Sequence, residues 1–139
     1  MEKFFTPDSL VVFGASLTNL NLGQIVLLNN RQIGYPGRLY GVGSQAGEIN
    51  GIPVYTKVAD VPEVPDVAIF LTPAQTVPAL MEDCGQKGIT HIVIESGGFS
   101  EYSHGDYTLE EEVLAVAAKY RMKVIGPNCV GTVHFDHKM

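Results

Sequence analysis

Basic residues are scarce in this chain: Lys and Arg number nine against fifteen Asp and Glu, for a formal net charge of −6. Apart from Lys119, Arg121 and Lys123 they are scattered, so the clustered basic footprint that nucleic acid requires is missing. That scarcity does not exclude an anionic small ligand, because helix N-termini and backbone N–H groups hold phosphates without a basic surface. Cysteine is scarce as well. Cys84 and Cys129 lie far apart in no CxxC arrangement, so no disulfide framework is implied. No apolar run approaches the roughly 18 residues of a membrane span. The stretch Met1-Glu2-Lys3-Phe4-Phe5-Thr6-Pro7 lacks the long apolar core of a secretory signal. The expectation is a cytoplasmic protein with neither nucleic acid nor membrane as partner.

What is present is an ordinary globular composition, 45% hydrophobic and 17% charged over 139 residues. That is one domain, 1–139, long enough to bury a core. Strand and helix signals alternate along it. Residues 10–13 form a short apolar run ending in Gly14, read as a buried strand. Over 22–33, Leu22, Ile25, Val26 and Ile33 fall at helical spacing, with Gly34 where a C-cap belongs. Residues 38–42 read as a second strand. Gly51-Ile52-Pro53-Val54-Tyr55 reads as an edge element, since Pro53 cannot donate to a ladder.

Val67-Ala68-Ile69-Phe70-Leu71 is the clearest central strand. Thr72-Pro73-Ala74 then starts a helix with Pro78 in its first turn, ended by Gly85 and Gly88. Residues 91–95 and 123–125 read as further strands. Between them Thr108 and Glu111 have capping-box spacing, and Leu109, Val113, Val116, Ala117 and Tyr120 make one apolar helix face. The fold class this predicts is α/β, a doubly wound, mostly parallel sheet with helices on both faces.

Such a sheet delivers its strands' carboxyl ends to one edge, where ligands bind. Four loops are expected there. Gly14-Ala15-Ser16, with Gly23 beyond it, reads as a turn that lets backbone and the Ser16 hydroxyl approach a phosphate, or as a structural strand-to-helix turn. Thr72-Pro73-Ala74 and Ser96-Gly97-Gly98 read as a floor and wall for an adenine or a pantetheine arm, or as ordinary turn chemistry. Gly126-Pro127-Asn128-Cys129-Val130-Gly131 is the fourth, and Cys129 reads as lining or structure rather than as a nucleophile. A dinucleotide fingerprint is incomplete. Ser16 and Asn19 stand where its second and third Gly belong, and the second strand ends in Val42-Gly43-Ser44-Gln45 with no carboxylate before Glu48. His91, His104, His134 and His137 provide no third ligand for a metal, and Glu110, Glu111 and Glu112 dress a helix N-terminus.

With these residues in place the chain resembles the CoA-binding domain of nucleoside-diphosphate-forming acyl-CoA synthetases, the family of the ADP-forming acetyl-CoA synthetases and the succinyl-CoA synthetase α subunit. The resemblance rests on Val12-Phe13-Gly14-Ala15-Ser16, on Gly51-Ile52-Pro53-Val54-Tyr55, and on Asp66-Val67-Ala68-Ile69 leading to Pro73-Ala74. Gly97-Gly98-Phe99 with Glu101, and the run over 126–131, complete it. It implies a Rossmann-like fold with coenzyme A, or an acyl-CoA, as ligand. The pyrophosphate would lie over Gly14, Ala15 and Ser16. The adenosine would lie near Val42, Gln45, Leu71, Thr72 and Pro73, and the pantetheine would run past Ser96 and Gly97 toward Asn128 and Cys129. Where the family usually places a Lys after the second strand, this chain has Gln45, which can hydrogen-bond but cannot neutralise charge.

The resemblance also implies partners: further ligase domains or subunits carrying the family's phosphorylated histidine, which none of the four histidines here matches. The chain alone is then expected to bind and not to turn over. Its last residues, Phe135-Asp136-His137-Lys138-Met139, lack a capping element and look like a cut, and a removed partner domain would leave an apolar face exposed. A free-standing CoA-binding carrier or regulator, an NAD(P)-binding protein, and a homo-oligomer stay open.

Overall fold

A computed structural model describes residues 1–99 and 108–139 of the chain. The first strand, β1 (Ser9–Phe13), is buried along its whole length because both faces of the sheet are covered. Its side chains alternate between two cores: Val11 and Phe13 enter one, Leu10 and Val12 the other. The further strands are β2 (Arg38–Val42), β3 (Gly47–Ile49), β4 (Ile52–Tyr55), β5 (Val67–Phe70), β6 (His91–Ile94) and β7 (Lys123–Ile125). They form a seven-stranded sheet in the order β3-β4-β2-β1-β5-β6-β7, parallel throughout except for the β3–β4 hairpin. The chain winds outward from β1 through β2 and then returns to β5 on the other side. The switch point therefore lies between the carboxyl ends of β1 and β5.

Among the described residues three α-helices complete the layers: α1 (Leu22–Ile33), α2 (Val77–Lys87) and α3 (Thr108–Tyr120). The first spans the residues its pattern predicts and ends on Gly34 at φ 78°. Its buried face differs from the apolar stripe. Gly23, Leu27 and Asn30 face the sheet, while Leu22 and Ile33 stand exposed. Close approach of the helix selects that face, and Asn30 satisfies its amide N–H by donating to the Val26 carbonyl at 2.9 Å. Pro78 lies in the first turn of α2, as read, and Gly88 ends the helix. Gly85 does not end it. It lies inside α2 because the Tyr120 ring of α3 packs over it, 2.3 Å from where a Cβ would be.

The sheet edge also differs from expectation. The residues 52–55 form β4 between β2 and β3, so the edge is β3, a three-residue strand that apolar pattern alone does not mark. Pro53 is tolerated because the ladder to β2 is confined to Val54 and Tyr55. On α3, Val113 is buried and Leu109, Val116 and Ala117 pack against the first core, the face that was read. Ser100, Glu101 and His104 lie outside the described residues.

Candidate functional site

The turn after β1 is built from three constraints. Gly14 has φ 89°, and a Cβ there would stand 2.3 Å from the Leu71 carbonyl at the end of β5, so only glycine closes the switch point. The N–H groups of Gly14 and Ala15 both donate to the Val42 carbonyl, at 2.9 and 3.2 Å, which ties the turn to β2. Asn21 caps α1 by accepting from the Gln24 N–H at 2.9 Å, and its amide donates to the Gly14 carbonyl at 2.7 Å. A Cβ at Gly23 would lie 2.6 Å from that same carbonyl, so the glycine lets the helix start directly against the turn. The Ser16 hydroxyl accepts from the N–H groups of Thr18 and Asn19, at 3.3 and 3.1 Å, and its own proton meets no acceptor among the described residues.

Beside this turn lies a pocket of about 270 Å³ at the carboxyl ends of β1, β2, β4 and β5. Phe13, Val42, Pro73 and Leu80 give it apolar surface, and Ser44, Thr56, Thr72 and Thr76 give it hydroxyls. The Thr76 hydroxyl donates to the Pro73 carbonyl at 2.7 Å and lies 3.0 Å from the Thr72 hydroxyl. Apolar walls with a few fixed hydroxyls suit a flat group with polar edges.

The remaining wall is held by Ser96. Its buried hydroxyl donates to the Phe70 carbonyl at 3.2 Å and accepts from the Thr72 N–H at 3.3 Å. The Ser96 carbonyl accepts from the Asn128 N–H at 3.1 Å, so one residue joins the ends of β5 and β6 to the last loop. The Cys129 thiol is turned inward, 3.3 Å from the Ile94 carbonyl, against the second core. Next to it Glu95 has its carboxyl pushed up by burial, and a Cβ at Gly131 would stand 2.6 Å from its Oε1.

Of the residues singled out in the sequence, the pocket brings together Gly14, Val42, Thr72 and Pro73. Leu71 and Ala15 flank it through the turn contacts above. Gln45 stands exposed beyond β2, Gly97 and Asn128 are exposed at the opposite wall, and Gly23 and Ser96 act by holding the turns. Thr56, Thr76 and Leu80 were missed. Their signal lies in register: Thr56 follows β4 as Gly43 follows β2, and the Gly43 N–H donates to the Tyr55 carbonyl at 2.9 Å.

Charge divides sharply across the sheet. Arg38 and Lys123 lie at strand starts, Lys3 in the turn that precedes β1, Arg31, Lys87 and Lys119 in the last turns of the helices, and Arg121 and Lys138 by helix ends. All eight are at the amino edge. Lys3 pairs with Asp8 and Asp66 at 3.3 and 3.1 Å, and Arg38 with Glu63, whose carboxyl the guanidinium holds below the usual range. Tyr40, buried and donating to Glu63, is pushed up to about 12. Two histidines belong there too: His91 stacks edge-on to Phe4 at 5.0 Å, its pKa lowered by burial, and His137 reaches the Pro7 carbonyl at 2.9 Å.

Comparison with known proteins gives a consistent result. The CoA binding domain family matches residues 8–135. The α subunit of the ADP-forming acetate–CoA ligase I of Pyrococcus furiosus is 36% identical over 143 residues, covering 100% of this chain and 31% of that protein. The ADP-forming acetate–CoA ligase I of Archaeoglobus fulgidus is 37% identical over 139 residues, covering 100% of this chain and 20% of that one. The apo dinucleotide-forming acetyl-coenzyme A synthetase 1 of Ca. Korarchaeum cryptofilum superposes with a TM-score of 0.92 at 35% identity, over 99% of this chain and 30% of that chain. The chain thus spans a fifth to a third of the length of these relatives.

Proposed function

This chain belongs to the CoA binding domain family, and from that premise we propose that it holds coenzyme A across the carboxyl edge of its sheet. The observation that carries the reading is the pocket at the β1–β5 switch point, lined by apolar side chains and hydroxyls, opening beside the Gly14 turn. In this reading the adenosine takes the pocket, against Val42, Leu71, Thr72 and Pro73, with Gln45 at its rim. The pyrophosphate crosses the turn of Gly14, Ala15 and Ser16 toward the start of α1, where Gly23 permits close approach. The first N–H groups of α1 lie outside the helix's own ladder and favour an anion. The pantetheine follows Ser96 and Gly97 toward Asn128 and Cys129.

A nicotinamide dinucleotide is the weaker fit. Its ribose diol needs a carboxylate at the end of β2, and the next one along, Glu48, accepts from the Gly51 N–H at 3.0 Å inside the β3–β4 hairpin.

The wider proposal is that the chain serves as the CoA-holding part of an NDP-forming acyl-CoA synthetase in the cytoplasm. The reaction is acyl-CoA, phosphate and NDP going to acid, CoA and NTP. Its partners are then the other domains or subunits of that enzyme. The exposure of Leu20, Leu22, Ile33, Val133 and Phe135 supports such partners, since it leaves apolar surface around α1 and the last residues uncovered. The chain alone binds and does not turn over. Calorimetric titration with CoA, and with NAD in parallel, tests the ligand: saturable heat with CoA alone is expected, and NAD binding in its place would overturn the reading.

A further inference from the structure

We propose that the cleft between α1 and the last residues of the chain is a second binding site, and that it takes a small apolar molecule with an ammonium head. The inference is independent of where the coenzyme lies. The cleft holds about 320 Å³ on the α1 face of the sheet, at the lower end of the range for small-molecule sites. Leu10, Val67 and Ile69 of the second core form its floor, whereas the pocket beside Gly14 draws Phe13 and Val42 from the first. The two share no lining residue. Val26 of α1 stands on one side of the cleft, and Val133 and Met139 on the other. This second wall is fastened to the rest of the fold and to itself. The Thr132 hydroxyl donates to the Phe4 carbonyl at 3.2 Å, and His134 and Met139 exchange backbone hydrogen bonds at 3.0 and 3.2 Å.

Two polar groups in this apolar setting lack a partner among the described residues. Asn30 lines the cleft and is 9% exposed. Its amide N–H donates to the Val26 carbonyl, which fixes the orientation of the amide and leaves Oδ1 a buried acceptor without a donor. Such an acceptor destabilises a fold until a donor is supplied. Glu95, which follows β6, is half-buried and lines the same cleft. Its carboxyl makes no hydrogen bond or ion pair among the described residues. Burial pushes that carboxyl up, and a cation beside it would favour the ionised form. Both groups therefore ask for a donor. The lining holds one carboxylate and no Lys, Arg or His, so an anion would find repulsion and no charge to meet. An ammonium on a hydrocarbon body answers both demands: the body covers Leu10, Val67 and Ile69, and the head brings N–H donors and positive charge.

The test titrates the isotopically labelled chain with phenethylamine near neutral pH and follows its amide shifts. Phenethyl alcohol and phenylacetate, titrated in parallel, keep the ring and change the head. The amine should bind most tightly, the alcohol more weakly and phenylacetate not at all, with shifts gathered at Val26, Asn30, Glu95 and Val133. Glu95→Gln should weaken the amine about tenfold, the loss of one charge-assisted hydrogen bond, and leave the alcohol nearly unchanged. Glu112→Gln, which removes the same charge from an exposed position on α3, should bind as wild type does. Circular dichroism verifies that each variant is folded. No saturation by the amine, equal affinity for the three heads, no loss in Glu95→Gln or an equal loss in Glu112→Gln would overturn the proposal. So would a concentration-dependent dimer in sedimentation that shuts the amine out, which would give the cleft to a second copy of the chain.

Discussion

The amino and carboxyl edges of this sheet are made from the same strands and treat polar groups in opposite ways. At the amino edge several charges are met in place: Lys3 by Asp8 and Asp66, Arg38 by Glu63, Lys119 by Glu82, and the Lys87 ammonium by the Ala59 and Val61 carbonyls. At the carboxyl edge the polar equipment of the pocket is uncharged, a set of threonine and serine hydroxyls and glycine-bearing turns, and the nearby Glu95 has no ion-pair partner among the described residues. Partnered groups contribute to holding a fold together, and groups left open are available to a ligand. On the proposed reading, stability belongs to one edge and binding to the other.

Substitutions at the two edges should therefore separate stability from affinity. The largest loss of stability is expected at the amino edge. Phe4→Ala removes a side chain that is 1% exposed and should cost about 3–5 kcal/mol by urea unfolding. Below the unfolding transition its CoA affinity should match wild type, and a large change there would break the division of labour. Gly14→Ala should damage both properties. It costs about 1–2 kcal/mol for a left-handed non-glycine residue, plus about 1–3 kcal/mol for forcing a methyl against the Leu71 carbonyl. The same displacement distorts the crevice, so calorimetry should show CoA binding abolished.

Ser16→Ala should act in the reverse sense to Phe4→Ala. It loses a hydroxyl that organises Thr18 and Asn19, at about 1 kcal/mol, while weakening CoA roughly five- to tenfold.

The smallest effects are in pH dependence, and their signs differ between the edges. Glu63, lowered first by its hydrogen bond from Arg38, contributes stability that is present above the unfolded carboxylate value of 4.5 and is lost as pH falls through its lowered value. Glu95 is raised by burial, so the folded state binds its proton more tightly. Its contribution falls as pH rises from 4.5 through the raised value. Thermal unfolding from pH 4 to pH 7 should thus show Glu95→Gln gaining on wild type as pH rises. Arg38→Gln should lose its deficit only at the acid end.

Much of this was legible in the sequence because backbone chemistry wrote it there. Gly34 marks the end of α1 with a left-handed cap, Pro78 marks the start of α2, and the short apolar runs at β1, β5 and β6 have nowhere to go but a two-sided core. What stayed hidden depends on neighbours distant in the chain. The face of α1 is chosen by how closely Gly23 lets it approach the Gly14 carbonyl, which no helical periodicity encodes. Gly85 reads as a helix stop until Tyr120 is known to lie on it. Thr56 joins the pocket through strand register, and Thr76 and Leu80 through the packing of α2 after β5.

The most direct test of the central claim is an amide chemical-shift map of the isotopically labelled chain titrated with CoA. Shifts concentrated at Gly14, Ser16, Ser44, Thr56, Thr72 and Asn128, with Lys3, Arg38 and Lys87 silent, are the predicted result. Shifts gathered at the amino edge, or none at saturating CoA, would contradict it.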